Sequence, residues 1–131
     1  MFSTTADYAV RAILILAREG GDRPLRTEEI ADATGAPRNY LSKTLHALSR
    51  AKILTSTRGP RGGFMLAIPP DRLTLARIVD VFDEPRPQLR CMLGRVPCNP
   101  AKPCAVHDHW TAIVASRRAP LATTTVADLL G

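Results

Sequence analysis

The chain of 131 residues has an apolar fraction of 45% and a formal net charge of +6, which fits one globular domain with an appended helix. Its longest uninterrupted apolar run, residues 12–17, is far shorter than the roughly 20 residues that span a membrane. No signal-peptide pattern is visible, so we expect a cytoplasmic protein with reduced thiols and no membrane partner.

Three helices are predicted in the first part of the chain. Residues 4–18 carry a broad apolar stripe, which predicts the first helix. A short helix begins at Thr27 and ends before Gly35, a residue suited to a left-handed helix end. A third helix covers about residues 37–51. Two short helices joined by a turn with glycine are typical of a helix-turn-helix, although a generic helical hairpin has the same pattern.

A basic hairpin follows the third helix. Residues 53–58 and 64–68 read as strands, and residues 59–63 between them are rich in glycine and proline. A helix-turn-helix followed by such a hairpin is a winged helix. Beyond it, helices are predicted at about residues 75–82, 105–119 and 126–130. Thr74 is the predicted cap of the first of these and Thr125 the predicted cap of the last. We divide the chain into a winged-helix DNA-binding domain at 1–84, a cysteine-containing loop at 85–104 and a helical tail at 105–131.

The charge is unevenly distributed. No acidic residue occurs between Asp32 and Asp71. This acid-free stretch contains Arg38, Lys43, Arg50, Lys52, Arg58 and Arg61. Such a segment is the expected footprint of a nucleic-acid site, and the alternative is a solvated basic face.

The candidate DNA contacts lie at the start of the third helix and at the hairpin tip. A recognition helix places its N-terminal residues at base edges, and arginine near a narrow minor groove is attracted by its negative potential. Two candidates have an alternative role, because Tyr40 also suits packing and Thr27 also suits helix capping. The candidates are Thr27, Arg38, Asn39, Tyr40, Ser42, Lys43, Arg58, Pro60 and Arg61.

All the cysteines of the chain occur in one short segment. Cys91, Cys98 and Cys104 lie among glycine and proline residues, and six and five residues separate them. Thiolates bind iron–sulfur clusters, zinc and copper(I), but these intervals are wider than those of most zinc sites. They suit a loop around an iron–sulfur cluster, which usually needs four ligands. His107, one helical turn after Cys104, is a candidate fourth ligand, and its alternative role is to cap or pack at the helix start.

Taken together, the motifs resemble the Rrf-two type winged-helix transcriptional regulators, the IscR- and NsrR-like iron–sulfur regulators. The resemblance covers essentially the whole chain. The motifs that carry it are Asp7-Tyr8-Ala9-Val10-Arg11, Asn39-Tyr40-Leu41, Arg58-Gly59-Pro60-Arg61-Gly62-Gly63-Phe64 and the cysteine trio. It implies a mainly α fold with a small β-hairpin, a winged helix-turn-helix plus a C-terminal dimerisation helix. It also implies a homodimer on a partly palindromic double-stranded DNA operator, with one cluster per subunit.

Two ligand patterns of this family fit the sequence. IscR-like members use three cysteines and a histidine, which correspond to Cys91, Cys98, Cys104 and His107 and imply a 2Fe-2S cluster. Nitric-oxide-sensing members use three cysteines and an aspartate from the first helix of the other subunit. Asp7 occupies that place, which implies a 4Fe-4S cluster. The segment from Cys104 to the histidines favours the 2Fe-2S pattern. This chain departs from both patterns, which have five residues rather than six between the first two cysteines.

The sequence thus predicts a DNA-binding transcriptional regulator, a repressor, controlled by a cluster that senses iron, redox or nitric oxide status. The first alternative is a thiol/disulfide redox repressor without a cluster. The second is a zinc-stapled winged helix that docks proteins. No catalytic triad, phosphate loop or carboxylate pair is evident, so we expect neither an enzyme nor a small-molecule substrate.

Overall fold

The computed structural model describes residues 3–83 and 105–131. In chain order the elements are α1 (Thr4–Ile15), a π-helical turn (Leu16–Gly20), α2 (Thr27–Thr34), α3 (Arg38–Arg50), β1 (Leu54–Thr57), β2 (Gly63–Leu66), α4 (Leu75–Val79), α5 (His107–Thr123) and α6 (Val126–Leu130). These elements confirm the predicted mainly α fold with a small β-hairpin.

Helix α1 is the central element of the N-terminal part. Ser3 caps it, because its hydroxyl accepts the Ala6 N–H at 3.1 Å. Small buried residues on its inner face allow close packing against α2, α3 and α4. The predicted helix to residue 18 is partly wrong, since α-helical bonding ends at Ile15 and a π-helical turn carries the chain to Gly20.

The helix-turn-helix forms where local signals predict it. Gly35 adopts a left-handed conformation with φ 76°, and its N–H donates to the Ala31 carbonyl at 2.8 Å. This turn sends the chain into α3, whose inner residues Leu41, Leu45 and Leu48 are fully buried. The buried face of α3 fixes which residues point outward.

The wing is a short antiparallel hairpin in which Leu54 pairs with Leu66. Phe64 also exchanges two backbone hydrogen bonds with Leu25, at 3.0 and 2.8 Å, so the hairpin is joined to the segment ahead of α2. A Cβ atom at Gly62 would overlap the Thr57 carbonyl, which explains why the turn residue there has no side chain. The wing is therefore held to the helices by backbone bonds.

The last helix returns to the winged helix. Thr74 caps α4 and Thr125 caps α6, as their positions predict. The Val126 N–H donates to the Leu73 carbonyl at 2.8 Å, and the Val126 side chain is fully buried. The C-terminal residues thus contribute to the core of the N-terminal part.

An ion pair joins α5 to the end of α4. The Arg118 guanidinium donates two hydrogen bonds to the Asp80 carboxylate, at 2.8 and 2.5 Å. These bonds raise the pKa of Arg118. Helix α5 is therefore oriented on the winged helix by a bidentate, half-buried contact. None of the helices within residues 3–83 and 105–131 is long and apolar enough to span a membrane.

Candidate nucleic-acid interface

The outer face of α3 presents the predicted recognition residues. Arg38, Asn39 and Lys43 are exposed, and Ser42 is half-buried. Thr44 lies on the opposite face, where its buried hydroxyl donates to the Tyr40 carbonyl at 3.0 Å. The first turns of α3 therefore offer amide, hydroxyl, ammonium and guanidinium groups on one accessible surface.

Arg38 is held by a carboxylate of the neighbouring helix. Its guanidinium lies 2.6 Å from Glu28 in the first turn of α2, and both side chains are more than half exposed. The pKa of Glu28 lies below its ordinary value because its own backbone N–H donates to the carboxylate and Arg38 adds a second hydrogen bond. Glu28 is thus ionised at neutral pH, and the pair carries no net charge.

Tyr40 packs between α3 and α1. Its ring meets Tyr8 edge to face, with 5.6 Å between centroids and an interplanar angle of 72°. Its hydroxyl is hydrogen-bonded to the hydroxyl of Thr5, and 37% of the residue stays exposed. The packing role is confirmed, and a DNA contact by the exposed part of Tyr40 stays a prediction.

The start of α2 is occupied by acidic groups. The predicted cap at Thr27 is wrong, because Arg26 is the N-cap and Thr27 is the first helical residue. The Glu29 carboxylate accepts the Arg26 N–H at 3.3 Å, which lowers the pKa of Glu29 together with Arg23. A phosphate at this helix start would meet two carboxylates, so the contact predicted for Thr27 is disfavoured by charge.

The wing tip projects the predicted arginines. Gly59, with φ 104°, accepts the Gly62 N–H at 2.9 Å and closes the turn. Arg58, Pro60 and Arg61 around it are exposed. Within residues 3–83 and 105–131, neither of these arginines forms an ion pair. Their charges are free for a polyanion.

One residue of this surface escaped sequence reasoning. The Arg26 guanidinium donates to the Pro60 carbonyl, so it joins the start of α2 to the wing tip. Arg26 precedes the acid-free stretch and is followed closely by two glutamates, so the charge pattern of the sequence does not predict it as part of the basic surface. The only sequence signal was its position directly ahead of a helix start.

A cleft of about 740 Å³ connects these groups. It runs between the start of α2 and the wing tip, and its lining includes Arg26, Glu28, Pro60 and Arg61. Glu28 in turn contacts Arg38, so one continuous surface links α3 to the wing. The cleft and the ion pair thus link Pro60 and Arg61 to Arg38 through Glu28. Arg58 does not line the cleft, and Asn39, Ser42 and Lys43 lie further along α3.

The predicted metal site falls largely outside the described residues. This applies to Cys91, Cys98 and Cys104 and to the side chain of His107, whose backbone begins α5. Asp7, the alternative ligand, lies on α1 and pairs with Arg11 at 3.1 Å. Among the described residues no group of three or more potential ligands occurs. The ligand assignment therefore rests on the chemistry of the donor set, in which three thiolates suit an iron–sulfur cluster.

Comparison with known proteins agrees with this architecture. A regulator of Aquifex aeolicus, named as an HTH-type transcriptional regulator, is 36% identical over 132 residues, which cover 99% of this chain and 91% of the relative. The structure of CymR, described as the global cysteine regulator of B. subtilis, superimposes with a TM-score of 0.81 at 26% identity, covering 98% of this chain and 95% of CymR. IscR of T. potens gives a TM-score of 0.80 at 26% identity, covering 99% and 85%.

The winged-helix fold is thereby confirmed, and the relatives are transcriptional regulators rather than enzymes. The profile of the Rrf2 family, described as iron-dependent transcriptional regulator, matches residues 2–131. The chain belongs to the Rrf2 family of DNA-binding transcriptional regulators.

Proposed function

We propose that this Rrf2 regulator is a homodimeric repressor whose binding to a partly palindromic operator is controlled by an iron–sulfur cluster. The observation that carries the proposal is the pairing of two features in one short chain. One is a basic surface on α3 and the wing, and the other is a segment with three cysteines. In this proposal the basic surface binds DNA, and the cysteine segment holds the cluster that senses the signal.

The DNA-binding step uses the exposed cations. Lys43 lies on the outer face of α3, and Arg58 and Arg61 flank the wing tip. In the proposed complex α3 enters the major groove while the wing arginines follow the backbone into the minor groove. Phosphate contacts supply most of the affinity, and base contacts from the start of α3 supply the sequence preference.

The cluster-binding step uses Cys91, Cys98, Cys104 and His107, with a 2Fe-2S cluster favoured. A bound cluster supplies a redox-active and nitric-oxide-sensitive centre. Asp7 is the alternative ligand for a 4Fe-4S cluster, and it would have to exchange its ion pair with Arg11 for the metal. Similarity to IscR supports this reading, because IscR shares the fold over nearly the whole chain.

A path from α1 to the recognition helix supports control of DNA binding. Asp7 is followed by Tyr8, whose ring packs on Tyr40 of α3. A shift of α1 would therefore move Tyr40 and the recognition residues beside it. In this proposal, gain or loss of the cluster shifts α1, and the packed side chains of Tyr8 and Tyr40 transmit the shift to the recognition helix.

Helix α5 is the proposed dimerisation helix. Among its side chains that the structure describes, most are exposed, and Ile113 is 41% exposed. Exposed apolar side chains on a 17-residue helix are what a second copy would cover. In this proposal residues 105–131 join two winged-helix domains, while α6 packs back on its own domain.

A second candidate is a thiol-based repressor that uses disulfides and binds no cluster. It stands beside the first because this chain shares the fold of CymR as closely as it shares the fold of IscR. Accessible thiolates near arginine would have lowered pKa values and would oxidise readily. The two candidates share the DNA-binding surface and differ in what the cysteines bind.

Anaerobic purification followed by iron and sulfide analysis tests the proposal. We expect a coloured protein with stoichiometric iron and sulfide, and we expect Cys98→Ala to lose both while its helical circular dichroism stays near native. A colourless protein after anaerobic reconstitution would exclude the cluster. If DNA binding then responds to disulfide formation, the thiol-based repressor is correct.

A further inference from the structure

The ion pair between Arg38 and Glu28 distinguishes Arg38 from the other cations of the surface. Arg38 is the first residue of α3, and its guanidinium lies 2.6 Å from the Glu28 carboxylate. Within the part of the chain that the structure describes, no other cation of the acid-free stretch has a carboxylate partner. Arg38 therefore differs in kind from Lys43, Arg58 and Arg61.

This pairing makes Arg38 a poor phosphate contact. A phosphate is attracted by the free charge of a cation, and Glu28 cancels that charge at close range. The carboxylate also repels a phosphate that approaches the same guanidinium. Base edges carry no net charge, so the neutral pair has no such disadvantage in the major groove.

The guanidinium keeps donors for a base while it is paired. Arginine has five N–H donors in a rigid planar fork, and one terminal nitrogen faces Glu28. The remaining donors match the O6 and N7 acceptors of guanine, which take two parallel hydrogen bonds. A long side chain loses conformational entropy when it is ordered for this contact, and the carboxylate orders it in advance.

The carboxylate is itself charged. The backbone N–H of Glu28 donates to its own side chain, which keeps the pKa low and the group ionised. Both partners lie on the continuous surface that runs from α3 to the wing tip. The pair thus forms without DNA, at the end of α3 that meets base edges in a recognition helix.

We propose that Glu28 is a specificity-determining positioning residue, which orients the Arg38 guanidinium to read a guanine base instead of a phosphate. Glu28 itself does not touch DNA and acts through Arg38. This inference rests on the proposed DNA-binding function and deepens it. In this proposal the Arg38 guanidinium is the first base-reading group of the recognition helix, and Glu28 sets its preference for a base over a phosphate.

The test uses full-length protein and a pool of randomised double-stranded DNA. The duplex that the native protein selects is measured by fluorescence anisotropy beside its single-base variants, at several salt concentrations. We expect Glu28→Gln to lose about five- to one-hundred-fold of discrimination at one G·C pair, the range of a bidentate contact. The affinity of this variant for unrelated duplex should not weaken. The slope of its log affinity against log salt concentration should steepen by about the amount that one added phosphate contact causes.

Glu29→Gln is the matched control. It removes the same charge from the same helical turn, but Glu29 pairs with Arg23, which is not on the recognition helix. We expect this variant to keep the native base preference. Arg38→Ala should lose the preference at the same base pair, and adding Glu28→Gln to it should cause no further loss.

The outcomes separate this inference from the proposed function. If Glu28→Gln selects the same bases with native discrimination, or weakens all sequences equally, the positioning role is wrong while DNA binding stands. If the native protein binds duplex without selecting any sequence, the base-reading role and the operator binding of the proposed function both fail, while non-specific DNA binding stands. If the native protein binds no duplex at any salt concentration, the proposed function and the inference both fail.

Discussion

The two described parts of the chain are built differently. In residues 3–83, large side chains from α1, α2, α3, β1 and α4 are fully buried in one core. In residues 105–131, Val126 is the fully buried large side chain among those that the structure describes, and it belongs to the same core. The core thus lies mainly in the first part and is completed by one residue of the second, while most of the described side chains of α5 are exposed. The first part therefore supplies most of the buried apolar surface of the described residues.

The largest expected effect is on the free energy of unfolding. Leu45→Ala removes a fully buried side chain from the inner face of α3, so we expect a loss of about 2–5 kcal/mol. Urea denaturation followed by circular dichroism measures it. Leu129→Ala on the exposed side of α6 is the control and should change the free energy of unfolding very little. Equal losses from both variants would show that the two parts do not differ in packing.

The next effect concerns affinity without a change in stability. Arg61→Ala removes an unpaired cation from the wing tip, and we expect DNA binding to weaken by about 1–3 kcal/mol. Gel-shift titration measures the affinity, and thermal unfolding should be unchanged because Arg61 is exposed. The control is Arg18→Ala, which removes an exposed arginine at the π-helical turn. Unchanged binding by Arg61→Ala would remove the wing tip from the mechanism.

The parts that sequence reasoning predicted are those fixed by local chemistry. Gly35 ends α2 and Thr125 caps α6 because a left-handed turn and a hydroxyl cap depend on adjacent residues. The wing follows from its glycines and flanking strands for the same reason. These signals placed the winged helix and the outward face of α3 correctly.

The features that were missed depend on residues far apart in sequence. Arg26 reaches the wing through the Pro60 carbonyl, and Glu28 reaches Arg38 across the helix-turn-helix. The residues around each partner form no pattern that predicts such a pair, because these groups become neighbours only in the folded chain. The return of Val126 to the N-terminal core is a third case. Charge along the sequence therefore predicts a basic surface but not which of its cations pair with a carboxylate among the described residues.

A smaller effect is expected where the two parts are joined. Asp80→Asn removes the carboxylate that holds Arg118 by two hydrogen bonds, and both side chains are about one-third exposed. Solvent screens the pair, so we expect a loss of about 1 kcal/mol. Hydrogen exchange should increase in α5 and less in α3, because α3 keeps its buried face. Asp71→Asn, an exposed change, is the control. Equal exchange in both variants would show that the Asp80 pair does not order α5.

The smallest effect is the acid dependence of the stability of the first part. Glu28 and Glu29 have folded-state pKa values below the ordinary 4.5, owing mainly to backbone N–H donors and then to arginines. Their contribution to stability is therefore present above about pH 4.5 and is lost as the pH falls through the folded-state values. Solvent screens both groups, because Glu28 is exposed and Glu29 is only half-buried, so the change is slight. Urea denaturation between about pH 7 and about pH 3 should show a shallower acid slope in the Glu28→Gln, Glu29→Gln double variant than in the native protein. Identical acid slopes would mean that these carboxylates are stabilised equally in the folded and the unfolded chain. The start of α2 would then add nothing to the difference in stability between the two parts.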